Sequence, residues 1–184
     1  MLNDFCYIFL LFMIYSFLGY LSEILSCSIR EGKLVLNRGF CLGPYLPIYG
    51  ISCILMGSFI IRYKDDFFTV FVMSAFVCSV VEYITSYVLE KIFKARWWDY
   101  SDRKFNLDGR VCLFNSFLFG IGGVLFTYLI NPITIFLVSK LSFLALRIIS
   151  LTLLLIFVID IIITITTLCQ VKISTVRFKN KDAT

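Results

Sequence analysis

Asn37-Arg38-Gly39-Phe40-Cys41-Leu42 and Asn106-Leu107-Asp108-Gly109-Arg110-Val111-Cys112-Leu113 read as two copies of one short polar loop. Each copy has the same kinds of neighbour. Before it runs an apolar stretch with one glutamate, Glu23 in the first copy and Glu82 in the second. After it runs another apolar stretch with an aromatic-glycine pair, Tyr49-Gly50 or Phe119-Gly120. The unit is helix, polar loop, helix, and it occurs twice. Duplicated helix pairs that meet around polar groups at membrane depth are a recurrent transporter arrangement.

The remaining sequence asks for a membrane. It is 60% hydrophobic and 16% charged, with a mean hydropathy of +0.92. Soluble domains run at about 45–50% apolar and about 25% charged residues. An all-α, multi-pass protein of the cell membrane is expected, with the lipid bilayer as its solvent. No long polar segment suggests a separate soluble domain.

Apolar runs able to cross about 30 Å of hydrocarbon fall near 5–28, 44–61, 67–93, 111–130 and 146–170. They make one transmembrane domain over 1–171, followed by a basic tail over 172–184. Asn3 and Asp4 stand where a cleaved signal would be basic, so the first span reads as a retained helix. Pro44 and Pro47 suit the opening turn of the second span, where a missing N–H costs little. Asn131-Pro132 either ends the fourth span or kinks an extension through Ile133 to Val138.

Thirteen of the 17 basic residues fall on one side of these spans, leaving Arg62, Lys64, Lys140 and Arg147 on the other. The positive-inside rule then predicts an external N-terminus and a cytoplasmic C-terminus. Both polar loops face the cytoplasm in that topology, and the helix pairs form two parallel repeats with a fifth helix added. A basic tail is what an anionic inner leaflet attracts, so no nucleic acid is needed to explain it.

Several chemistries are excluded by composition. There is no histidine, so neither a Ser-His-Asp triad nor a His-ligated metal can be built from this chain alone. The only Gly-Lys, Gly32-Lys33, continues into Leu34 and has no glycine five positions earlier, so there is no phosphate-binding P-loop. The seven cysteines are scattered without a C-x-x-C pair and read as small hydrophobes rather than a disulfide framework. No metal site, cofactor or enzymatic activity is expected.

Acids inside the spans are the sharpest signal. A carboxylate at mid-membrane costs about 2.5–3.5 kcal/mol on insertion scales and turns towards the bundle interior to find a partner. Glu23, Glu82 and Asp160 each sit on a polar stripe at helical spacing: Gly19-Glu23-Ser26, Ser79-Glu82-Ser86-Glu90 and Asp160-Thr164-Thr167. All three fall in the half of their spans predicted to be cytoplasmic, so they are expected to line one cavity open to that side. Arg38 and Arg110, just before the second and fourth spans, are the candidate counter-charges. Such pairs equally well serve only to hold the repeat together.

Other residues extend the candidate site. Gly39, Gly43 and Pro44 shape a tight loop whose following helix N-terminus, beside Arg38, suits an anion or simple re-entry into the membrane. Asn115, on a small-residue face with Ser116 and Gly120, is one polar group more than packing requires. Trp97-Trp98-Asp99-Tyr100 read as interface anchors or as a contact surface for a partner, with Asn37 and Asn106 as motif residues of the two loops.

Taken together these motifs resemble a bacterial family of type IV ABC-transporter permeases called CmpB-like. The resemblance rests on Ser16-Phe17-Leu18-Gly19-Tyr20 with Glu23, on Asn37-Arg38-Gly39-Phe40, on Gly43-Pro44 with Pro47-Ile48-Tyr49-Gly50, and on Trp97-Trp98-Asp99-Tyr100-Ser101 with Asn106, Gly109 and Arg110. It covers roughly residues 5–130. The chain departs where the family tends to carry tryptophan, with Tyr20 after Gly19 and Phe119 before Gly120. The resemblance implies a permease-like membrane subunit moving a small solute or ion, with a separate cytoplasmic ATPase subunit, and it brings no catalytic residues.

So small a bundle encloses little volume, so a homodimer or partner is expected to complete any path. The alternative expectation is a non-transporting membrane scaffold or sensor that stabilises a partner protein. An intramembrane enzyme using paired carboxylates as acid and base ranks last, for want of histidine and of an evident nucleophile.

Overall fold

A computed structural model describes residues 1–36 and 39–181, with the side chains of 171–181 excepted. The predicted Asn37 and Arg38 therefore lie outside the described residues. The chain is helical almost throughout, as expected. Helix α1 spans Leu2–Glu31, α2 Pro47–Phe59 and α3 Phe67–Phe93; α4 (Leu113–Leu125) continues through a π turn (Phe126–Ile130) into α5 (Asn131–Ser139), and α6 spans Phe143–Lys181. Four rods are long and apolar enough to cross a membrane: Leu2–Glu31, Phe67–Phe93, Leu113–Ser139 and Phe143–Gln170. Helix α2 has 13 residues, a rise of about 20 Å, so it is a shorter apolar element held among the long ones.

The helix ends follow from local chemistry. Gly32 and Lys94 take left-handed conformations after α1 and α3 and stop them. Asp66 caps α3 by accepting from the backbone N–H of Phe68 at 3.0 Å and of Thr69 at 3.2 Å. Pro47 occupies the first turn of α2, and Pro44 lies in the loop before it. Asn131-Pro132 does not end the fourth rod. Proline withholds an N–H from the ladder, and the preceding π turn absorbs the change of register. The Asn131 side chain accepts the Tyr15 hydroxyl at 2.7 Å, tying this irregular turn to α1.

The repeat appears as helix pairs, α1 on α2 and α3 on α4, with α2 also meeting α3 and α6 lying on α1. Each pair closes on a glycine. Gly50 is set against Phe12 and Ser16 of α1, Gly120 against Phe71 of α3, and Gly123 against Ser74 of α3. The surface is apolar, with Phe76, Phe136, Leu155 and Ile162 all exposed, while Ser16, Ser74, Thr127, Thr134 and Ser150 are buried. That inverted distribution suits a protein solvated by lipid, where association depends on close packing and interhelical hydrogen bonds. An apolar core around Leu10, Tyr15, Met56, Ile60, Val70, Phe126 and Leu146 holds the bundle together away from the polar loops.

Candidate functional site

The two loops of the repeat meet at one end of the bundle, where the Phe40 ring packs 5.7 Å from that of Trp97. Residues 94–112 fold into a lid. Its short hairpin pairs Asn106–Leu107 with Val111–Cys112, and the turn uses Asp108 and Gly109, both with positive φ. Asn106 organises this turn, donating to the carbonyls of Ser101 and Arg103 and accepting from the Gly109 N–H at 3.0 Å. Asp99 accepts from the Ser101 N–H at 2.9 Å and hydroxyl at 2.6 Å, and Trp98 donates its indole N–H to the Arg110 carbonyl at 3.0 Å. Trp97 packs edge-on against Phe93 and tilted against Phe40. Trp98 and Asp99, read from sequence as interface anchors or partner contacts, and the motif residue Asn106 spend their polar groups inside the lid.

Tyr100 is the exception. Its hydroxyl reaches into the bundle and donates to Glu82 Oε1 at 3.0 Å. Burial and the adjoining carboxylate hold the Tyr100 phenol well above its usual range, so it stays a hydrogen-bond donor at every physiological pH. Glu82 is only 7% exposed, and its second oxygen, Oε2, has no hydrogen-bond partner. Asn115 of α4 lies in interaction range of Glu82 without completing a bond to Oε2.

The first repeat presents the matching arrangement. Glu23 Oε2 accepts the Tyr49 hydroxyl at 3.2 Å, and Oε1 accepts from Cys27 Sγ at 3.3 Å, which in turn receives Arg30 at 3.1 Å. Glu23 and Glu82 lie within electrostatic reach of one another, and Tyr49 within reach of both. Two acids, two phenols and Asn115 thus form one cluster shared by the helix pairs.

Asp160 and Arg110 are placed elsewhere. Asp160, on α6, accepts the backbone N–H of Leu42 at 3.0 Å and of Gly43 at 2.8 Å, together with the hydroxyls of Tyr45 and Thr164. It clamps the loop that leads into α2, where Gly39 takes φ 117° against Leu46 and Gly43 lies against the Tyr45 ring. Its oxygens are spent on that loop rather than offered to a space shared with Glu23 and Glu82. Arg110 meets Glu90, not Glu82, at 2.8 Å, and its guanidinium lies 5.6 Å and 5.5 Å from the ring centres of Tyr83 and Tyr87. Arg96 joins the same carboxylate at 3.1 Å. Glu90 therefore absorbs the nearby positive charge two turns along α3 from Glu82. Sequence reasoning saw Tyr49 in the repeat and Glu90 on the α3 stripe but assigned neither a role; the phenol-acid pairing depends on folding distances no spacing reveals.

A cavity of about 560 Å³ lies outside the acid cluster, lined by Asp102, Arg103, Lys104, Phe105, Leu113, Phe114 and Phe117. Among the described residues no group of three or more His, Cys, Asp or Glu side chains is arranged to hold a metal ion, and the cysteines are free thiols.

Such a bundle, with long apolar helices and carboxylates held inside an apolar exterior, is the construction of a multi-pass membrane protein. Residues 10–165 match the family model described as "Putative ABC-transporter type IV", and the chain belongs to that family. No curated protein and no solved structure matches the chain.

Proposed function

We propose that the chain is the membrane subunit of a transporter, moving a small solute or ion past the Glu23–Glu82 cluster. The observation that carries this reading is Glu82, an almost wholly buried acid with a phenol on one oxygen and nothing on the other. Structural acids in membranes are paired out, as Asp160 and Glu90 are here; an incompletely paired one marks a path or a site. The cluster is roofed by the lid, so this conformation is occluded, and access requires the lid to withdraw Tyr100. The family description supports an energy source in a separate ATPase subunit. That subunit would dock at the lid end, which carries Lys94, Arg96, Arg103 and Lys104 and which the positive-inside rule assigns to the cytoplasm. In this reading the chain itself performs no chemistry and needs no cofactor, and a second copy or a partner completes the path.

The test is purification of tagged protein in mild detergent, with mass spectrometry of what accompanies it. A stoichiometric ATPase that is lost from the Arg103→Glu/Lys104→Glu variant supports the reading. A homodimer alone points to a secondary transporter or channel. One observation favours a second reading, a scaffold or sensor that stabilises a partner: Leu42, Phe105 and Leu107 are exposed on the two loops. That reading expects a different membrane protein to co-purify, and expects substitution of the acids to leave activity intact.

A further inference from the structure

Glu82 has an electrostatic problem that the described residues do not solve. Facing it are Glu23 from α1, Tyr49 from α2, Asn115 from α4, Cys78 from its own helix and Tyr100 from the lid. None of these is a cation. Among the described residues, Arg110 and Arg96 pair with Glu90, and Arg30, bonded to Cys27, lies within electrostatic reach of Glu23. A buried carboxylate without a counter-charge is among the costliest arrangements a protein can hold. What surrounds it, apart from the Cys78 thiol, is hard oxygen: the Glu23 carboxylate, two phenols and one amide. Hard oxygens without thiolate or imidazole suit small, hard cations rather than soft metals.

We propose that the Glu23–Glu82 cluster binds one small monovalent cation, a sodium ion or a proton, at the unpartnered Glu82 Oε2. Glu23 already has the Arg30 charge within electrostatic reach, which leaves Glu82 as the uncompensated acid and favours a single charge over a divalent ion. The bound charge neutralises Glu82 while the lid is shut, with Tyr100 holding Oε1 and with Asn115 and Glu23 in interaction range of the carboxylate. In a transporter this is the coupling or transported species. The inference thus rests on the same site as the proposed function and narrows what that site takes.

The experiment is thermal unfolding of the detergent-purified full chain in choline chloride, titrated either with sodium chloride at fixed alkaline pH or with acid at constant ionic strength. A saturable rise in melting temperature in either arm is expected, because a ligand that binds only the folded state stabilises it by mass action. The sodium arm identifies the metal ion, and the acid arm the proton. Glu82→Gln abolishes the rise while Glu90→Gln, outside the cluster, keeps it. Should Glu82→Gln not fold, Glu82→Asp serves, with a half-saturating concentration shifted by about tenfold or more, equivalent to about 1.4 kcal/mol. A flat response in both arms overturns the proposal, as does a rise that persists unchanged in Glu82→Gln. Binding is read here without transport, so a saturable, Glu82-dependent response in a protein that moves nothing would sink the transport reading and leave the cation site standing.

Discussion

The Tyr100 hydroxyl sits 3.0 Å from Glu82 Oε1 and bridges the lid to the middle of the second helix pair. In the first pair the equivalent service comes from Tyr49, 3.2 Å from Glu23 and carried on the second helix of the unit. The second repeat has Phe119 at the matching position, which has no hydroxyl to give. In the second unit the connecting loop, through Tyr100, supplies the hydroxyl that Phe119 lacks. One acid is therefore held by a helix of the bundle and the other by the loop that covers it.

Tyr100→Phe isolates that bridge. It removes a hydrogen bond to a buried carboxylate, worth about 1.5–3 kcal/mol, while keeping the ring. We expect the melting temperature to fall and hydrogen exchange across residues 94–112 to accelerate, with α1 and α2 unaffected. Combined with Glu82→Gln the two losses are expected to be less than additive, because they remove one interaction. Full additivity would mean that the hydroxyl and the carboxylate do not act together.

How much of this was legible beforehand divides along physical lines. Apolar run length marked the long helices, because crossing a bilayer is a length requirement that one sequence states directly. The pairing of α1 with α2 and α3 with α4 followed from the repeat. Asn131-Pro132 stayed ambiguous, since proline can end a helix or bend it and the outcome here depends on a π turn and on Tyr15 some distance away. Sequence offers Arg110 as a counter-charge to Glu23 or Glu82, but its guanidinium pairs with Glu90 between the Tyr83 and Tyr87 rings. Asp160 looked like a member of the Glu23–Glu82 group by depth alone. Depth ranks groups along the membrane normal and says nothing about which face of the bundle they share.

Asp160→Ala tests the clamp on the loop before α2. Two backbone N–H groups and the Tyr45 hydroxyl lose their acceptor, at about 1–3 kcal/mol for each donor left buried and unsatisfied. The loop carries its own reporter: Cys41 is buried, and burial pushes its thiol up to about 12, so it alkylates slowly in the folded chain. We expect the variant to expose Cys41 to maleimide at least severalfold faster, read by mass spectrometry of the Cys41 peptide, while Cys27 stays protected. Unchanged Cys41 reactivity would show that Asp160 does not hold this loop.

Arg110→Lys probes the Glu90 site. Lysine keeps the charge but cannot lie flat against both Tyr83 and Tyr87 while reaching the carboxylate. A double-mutant cycle of Arg110→Gln with Glu90→Gln is expected to give a coupling of about 1 kcal/mol, since Glu90 is partly solvated and such pairs are worth about 0–1 kcal/mol when exposed. Arg110→Lys is expected to lose most of the stacking contribution, visible as a lower melting temperature that added salt does not reproduce. A lysine variant as stable as the native chain would reduce Arg110 to a simple charge.

Gly122 and Gly123 are neighbours on α4 with opposite demands. A methyl on Gly122 would meet nothing within 4 Å, whereas one on Gly123 would strike Ser74 of α3 and approach Met56 at 3.3 Å. Gly122→Ala should therefore be neutral or stabilising by up to about 1 kcal/mol, the helix-propensity difference between the residues. Gly123→Ala has to push α4 away from α3, at about 1–3 kcal/mol for overpacking a tight contact. Because Ser79 and Ser116 also bond across these two helices at 2.7 Å, that separation reaches towards Asn115 and the acid cluster. Gly123→Ala is thus expected to lower the melting temperature and weaken the cation response together, while Gly122→Ala changes neither. Equal behaviour of the two variants in the melt would mean that the close approach of α3 and α4 is not what shapes the site.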